Sequence, residues 1–207
     1  MSKSCHQPKE TTNADFEIDG TILLRYRGGA LSITIPEGIT EIAEGAFACN
    51  ESLSYVEAAD GLLTICAYAF SHCTNLKYVK LPSSVQKIGD CAFEGCSQLQ
   101  CIDSYMIEGD EYEIASYYEL GKNCIVIPIH TNEIGRCAFE TCISIERVCM
   151  QEYIQTIGVK SFANCSELKE VYVFGDDPLY VREFAFDNCR TLSRPDLMRL
   201  MRKKFIV

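Results

Sequence analysis

The chain has 207 residues, 47% of them apolar, which is enough for a buried core, and no apolar run approaches the ~20 residues of a membrane-spanning helix. A formal charge of -10 repels phosphate backbones, so the long-range field disfavours a general nucleic-acid binder. Thirteen cysteines behind a polar N-terminus with no basic start or apolar stretch point to a reducing compartment, and a cytoplasmic location is the expectation.

In chain order, residues 1–13 read as a disordered tail. Phe16-Glu17-Ile18-Asp19-Gly20, followed by Leu23, Leu24, Tyr26 and Gly28-Gly29, has the apolar-acid-Gly turn and alternation of a hairpin. From there an Ala-Phe pair or close variant recurs at Phe47, Phe70, Phe93, Phe139, Phe162 and Phe186, with gaps of 23, 23, 46, 23 and 24. Apolar residues return five positions before each phenylalanine (Ile42, Ile65, Ile88, Ile134, Ile157, Val181) and six after it (Leu53, Leu76, Leu99, Ile145, Leu168, Leu192). A fixed period of this length means a solenoid, in which each repeat buries its apolar face against its neighbours.

The cleanest repeat shows how one coil is built. Val79 and Leu81 have the two-residue spacing of a strand face, so Tyr78, Lys80 and Pro82 point the other way. Pro82 lacks a ladder donor and ends the strand, after which the chain turns over Val85 and Ile88. The Ala-Phe step then fills a convex side expected to be a short 3₁₀ or irregular segment, because Gly89 and a nine-residue span leave little room for a helix. Cys73, Cys96, Cys142, Cys165 and Cys189 each stand three residues after a repeat phenylalanine and read as a core column of free thiols. Disulfide pairing along the column is the alternative, disfavoured because side chains in identical coil positions point in parallel.

The 46-residue gap lacks one Ala-Phe step, yet the strand Cys124-Ile125-Val126-Ile127 before Pro128 is intact. Met106-Ile107-Glu108-Gly109-Asp110, with Tyr112, Ile114, Tyr117 and Tyr118 before Gly121-Lys122, repeats the hairpin pattern of the N-terminus. Residues 14–193 thus form one continuous solenoid of about seven strands, made of two modules, 14–104 and 105–193, each a hairpin followed by coils. After Leu192, Ser193 can cap a helix opening at Pro195-Asp196, with Leu197, Leu200, Met201 and Phe205 on one face. Residues 194–207 are expected to close the last coil as a helical cap with a basic outer face.

The pattern Ile-Pro, Val, Ile-Gly, Ala-Phe, Cys, Leu, Val at this spacing resembles the BspA-like leucine-rich repeat family, closely at 81–102 and 125–150 and over roughly residues 14–193. The resemblance implies an α/β leucine-rich repeat solenoid of right-handed coils, curved or nearly flat, that works as a protein-interaction module and in many members as a cell-surface adhesin.

No phosphate-cradling loop, metalloprotease helix or nucleophile elbow is present, and His6, His72 and His130 occupy unrelated coil positions. The chain is therefore read as non-enzymatic, without cofactor or metal. Outward-pointing strand positions offer a binding face: Tyr55, Tyr78, Tyr105, Tyr172 and Phe174 as apolar anchors, with Glu57, Lys80, Asp103 and Arg147 setting polar specificity. A protein partner of unknown identity is the expected ligand, and the hairpin edges offer contacts for a homodimer. A cell-surface adhesin, exported by a signal outside this chain, is the first alternative. A thiol-based redox or metal protein is the second, resting on Cys101, Cys124 and Cys149 as neighbouring surface thiols.

Overall fold

The computed structural model describes residues 13–104, 123–151, 153–174 and 178–192. After a 3₁₀ turn at Asn13–Asp15, strands β1 (Phe16–Asp19) and β2 (Ile22–Tyr26) form the antiparallel hairpin expected at the N-terminus, turning at Gly20, whose φ of 58° is left-handed. Each following coil supplies one strand to a broad parallel sheet, and all but the coil of β9 also supply one to a second, narrow sheet among the described residues. The broad sheet holds seven strands: β3 (Ser32–Thr34), β5 (Tyr55–Glu57), β7 (Tyr78–Leu81), β9 (Cys101–Ser104), β10 (Cys124–Val126), β12 (Arg147–Met150) and β14 (Glu170–Val173). β7 stops directly before Pro82, as its missing donor requires.

The second sheet corrects the expected convex side. Two-residue strands β4 (Glu41–Ile42), β6 (Thr64–Ile65), β8 (Lys87–Ile88), β11 (Glu133–Ile134), β13 (Thr156–Ile157) and β15 (Tyr180–Val181) pair in parallel and extend the hairpin into an eight-stranded narrow sheet. Of the two forms expected for the Ala-Phe step, the irregular one is found. In the coil of Phe70, the amides of Tyr68, Phe70 and His72 donate to Asp90, Ala92 and Glu94 of the next coil, while those of Ala69, Ser71 and Cys73 close tight turns on their own coil. Alternation of this kind needs backbone of both hands. Two positions per coil, two residues before and two after each phenylalanine, accordingly have positive φ: Gly45 and Cys49, Tyr68 and His72, Cys91 and Gly95, Cys137 and Thr141, Lys160 and Asn164, Phe184 and Asn188. No α-helix occurs among the described residues, so the α component of the expected class is not seen there.

The repeat phenylalanines stack along the axis, with successive ring centroids 4.7–5.4 Å apart and planes within 9° of parallel. Tyr26 takes the phenylalanine's place in the hairpin, tilted on Phe47 at 5.5 Å and covered in turn by Phe16. The column of Cys73, Cys96, Cys142, Cys165 and Cys189 holds free thiols, each donating to the carbonyl of the preceding repeat phenylalanine at 3.1–3.2 Å. The thiol proton thus satisfies a carbonyl beside the buried ring stack.

Coils approach closely through glycine. A methyl group on Gly89, Gly135 or Gly158 would lie 2.5–2.8 Å from backbone atoms of the preceding coil. The 46-residue gap is bridged directly: Phe93 stacks on Phe139 at 5.3 Å and β8 pairs with β11, while β9 fits between β7 and β10. The expected second hairpin at 106–122, the N-terminal tail before Asn13 and the capping helix at 194–207 lie outside the described residues. At the C-terminal end, Val171, Val173, Val181, Phe186 and Leu192 pack on the core but are only partly buried.

Candidate functional site: the outer face of the broad sheet

Strand pairing brings the outward positions into columns. Ser32, Tyr55, Tyr78 and Cys101 follow one another across β3, β5, β7 and β9, and Cys124, Arg147 and Glu170 continue the row across β10, β12 and β14. The next row runs Thr34, Glu57, Lys80 and Asp103, then Val126, Cys149 and Tyr172. The register therefore sets the anticipated residues side by side, except Tyr105, which lies outside the described residues.

Burial divides this face in three. At the N-terminal end Tyr78 is 45% exposed and Tyr55, Glu57, Lys80 and Asp103 are half-buried. Their polar groups pair among themselves: the Lys80 ammonium lies 3.0 Å from Glu57, Tyr55 donates to Glu57 at 3.2 Å, and Tyr78 donates to Gln100 at 3.0 Å. Such pairs add little stability individually but hold the side chains in one geometry. Burial pushes the Asp103 carboxyl above its ordinary value, and the nearby Lys80 charge partly opposes this.

At the C-terminal end Tyr172 and Phe174 are exposed, and Arg147 donates to Glu170 at 2.7 Å. Lys169 bonds Glu146 at 2.8 Å and Asn123 bonds it at 2.9 Å, and together they hold that carboxyl below its usual value. Burial and the Glu170 charge raise the Tyr172 phenol.

Between these ends the expectation of surface thiols fails. Cys124, Val126 and Cys149 form a small apolar cluster of their own, at most 4% exposed, and Cys101 is also buried. Strand alternation fixes the direction in which a side chain points but not whether it is covered. The Sγ atoms of Cys124 and Cys149 are 3.8 Å apart and either thiol can donate to the other; the contact together with burial raises the pKa of Cys124, and the contact lowers that of Cys149. No group of three or more metal-ligating side chains occurs among the described residues.

A second concavity was not anticipated. An open groove of about 530 Å³ is lined by Gln86, Asn132, Gln155, His130, Tyr153, Pro178 and Tyr180, on the side where broad-sheet strands turn into narrow-sheet strands. The recurrence of an amide seven residues before Phe93, Phe139 and Phe162 was the signal in the sequence that could have found it.

The repeat pattern of the BspA type leucine rich repeat region matches residues 27–108 and 111–203 in six copies. No curated protein matches the chain. Among solved structures, it is similar to a leucine-rich repeat protein of T. pallidum (23% identity, TM-score 0.67, 96% of this chain and 98% of that one). It is also similar to a leucine-rich cell surface protein of Faecalibacterium prausnitzii (23%, TM-score 0.61, 92% of this chain and 55% of that one). A third is the pneumococcal vaccine antigen PcpA (18%, TM-score 0.60, 92% of this chain and 43% of that one). The chain thus spans nearly all of the treponemal protein and about half of the other two. With coils, phenylalanine ladder and repeat pattern in agreement over most of its length, the chain belongs to the BspA-type leucine-rich repeat family.

Proposed function

We propose that the chain is a non-catalytic interaction module that binds a protein partner through the outer face of the broad sheet. The observation that carries this reading is the registered pair Tyr55 and Tyr78, held on adjacent parallel strands beside a fixed set of charges. Aromatic residues and arginine dominate the energy of protein interfaces, and a sheet fixed in advance loses little entropy on binding. Tyr55, Glu57, Tyr78, Lys80 and Asp103 form one patch, and Arg147, Tyr172 and Phe174 a second; Tyr105 is assigned to the first on its sequence position. A photo-crosslinkable residue at position 78 captures the partner in the source cell. A Tyr55→Ala, Tyr78→Ala protein that retains the same partner would move the interface elsewhere.

The names of two relatives, a cell surface protein and a vaccine antigen, favour a second reading in which the module acts as an adhesin outside the cell. Among the described residues no helix is long and apolar enough to cross a membrane. Fractionation of source cells with protease shaving separates the readings: loss of the protein from intact cells supports the adhesin, and protection supports an internal partner. Self-association would use β1, which among the described residues pairs with β2 alone and so stands at the edge of the narrow sheet. Light scattering across a concentration series tests that contact.

A further inference from the structure

The groove beside the narrow sheet has a chemistry unlike the strand face. Gln86, Asn132 and Gln155 stand immediately before β8, β11 and β13, so each of three successive coils presents one side-chain amide at the same position. Coil spacing of about 4.8 Å sets these amides in a ladder roughly 10 Å long. Leu63 holds the same position before β6 and Leu179 before β15, so an apolar residue ends the ladder on either side. Above the ladder the rings of His130 and Tyr153 lie nearly parallel, 15° apart with centroids at 6.1 Å. His130 Nδ1 lies 2.8 Å from the Ser83 carbonyl oxygen, which can only accept, so the neutral ring keeps Nε2 as an acceptor.

Three properties narrow the ligand. No carboxylate, ammonium or guanidinium lines the groove among the described residues, although the chain carries a net -10; the neighbouring Lys87 and Glu133 neutralise each other at 3.0 Å. Backbone groups are committed, because the amides of Asn132, Gln155 and Tyr180 already donate to the carbonyls of Gln86, Asn132 and Gln155. An extended peptide therefore finds no open ladder to join, and recognition falls to side chains. Each amide offers both a donor and an acceptor, which matches a ligand rich in hydroxyl groups, and the aromatic faces suit the apolar face of a sugar ring.

We propose that this groove binds a neutral saccharide, about two or three sugar rings in a cavity within the ordinary range for small ligands. The rings of Tyr153 and His130 form the stacking platform, and Gln86, Asn132 and Gln155 read hydroxyls of successive units.

The test is a printed array of neutral oligosaccharides, with sialylated and sulfated ones beside them, followed by calorimetric titration of the neutral glycan that is retained. Tyr153→Ala, and Asn132→Ala with Gln155→Ala, are expected to weaken binding about tenfold or more at an unchanged melting temperature. Tyr55→Ala with Tyr78→Ala should leave it unchanged, which separates this site from the protein-binding face. Retention of no neutral glycan, retention of only charged glycans, or titrations indifferent to the groove substitutions would each overturn the proposal.

Discussion

At Gly135 an alanine methyl would sit 2.5 Å from the carbonyl carbon of Gly89 and 2.6 Å from the nitrogen of Asp90. Both are backbone atoms of the neighbouring coil, so neither can rotate away as a side-chain tip would. Relief requires the two coils to separate by about an ångström, which strains the 2.8 Å bond from the Gly135 amide to the Ile88 carbonyl and the Phe93–Phe139 stack beside it. A glycine with ordinary φ normally gains about 0.4–1 kcal/mol when replaced by alanine, because the unfolded chain loses freedom. Overpacking against backbone reverses the sign, and we expect Gly135→Ala to cost about 2–3 kcal/mol. For a domain of this size that lowers the melting temperature by roughly 5–10 °C. Thermal melts followed by circular dichroism at fixed concentration measure it, with Gly29→Ala as control, since nothing lies within 4 Å of a methyl there. Melting of Gly135→Ala at or above the parent would refute the close approach of the coils.

Phe139→Ala removes a ring stacked on both sides and should cost about 3–5 kcal/mol, seen as loss of a cooperative transition; a melt within a degree or two of the parent would contradict the core column. Lys160 has a φ of 56°, so Lys160→Val should lose about 1–2 kcal/mol while Lys160→Gly loses nothing, both read from melts. Asp103 has a raised pKa, so between its unfolded and folded values the native state binds more protons and this group favours folding increasingly as pH falls. Asp103→Asn should therefore melt higher than the parent near pH 7, with the difference shrinking as the buffer is taken down through that window. Burial keeps the Cys96, Cys142 and Cys165 thiols protonated, whereas Cys49 is exposed; native labelling with a thiol reagent, mapped by mass spectrometry, should modify Cys49 ahead of these three buried thiols, which react only on unfolding.

The coil, its strand, the stacked phenylalanines and the thiol column were all legible, because a residue that meets its own counterpart in the next coil must recur at one period. Proline at 82 and glycine at 20 marked where a strand ended and where a hairpin turned. The narrow sheet was not legible, since two-residue strands are too short to show alternation. Nor were the left-handed positions: only Gly45 and Gly95 announce them, and tyrosine, cysteine, lysine and asparagine occupy others under tertiary constraint. The broad sheet's outer rows were placed correctly, but the cover over Cys124 and Cys149 depends on long-range packing that a local alternation cannot express. His130 and Tyr153 meet only because the turns of two coils stack, so sequence spacing alone left each of them isolated.

Direct stacking of Phe93 on Phe139, across a stretch twice the normal period, has a consequence for how such genes change length. The phenylalanine column closes up there with the same geometry it has elsewhere, so the stack itself needs no redesign at this junction. Since each coil answers only to its nearest neighbours, recombination between repeats can lengthen or shorten the array in whole units as long as several coils and both capped ends remain. The same tolerance makes the junction between residues 104 and 123 a natural point for lineages to splice in new recognition sequence, with the existing core undisturbed.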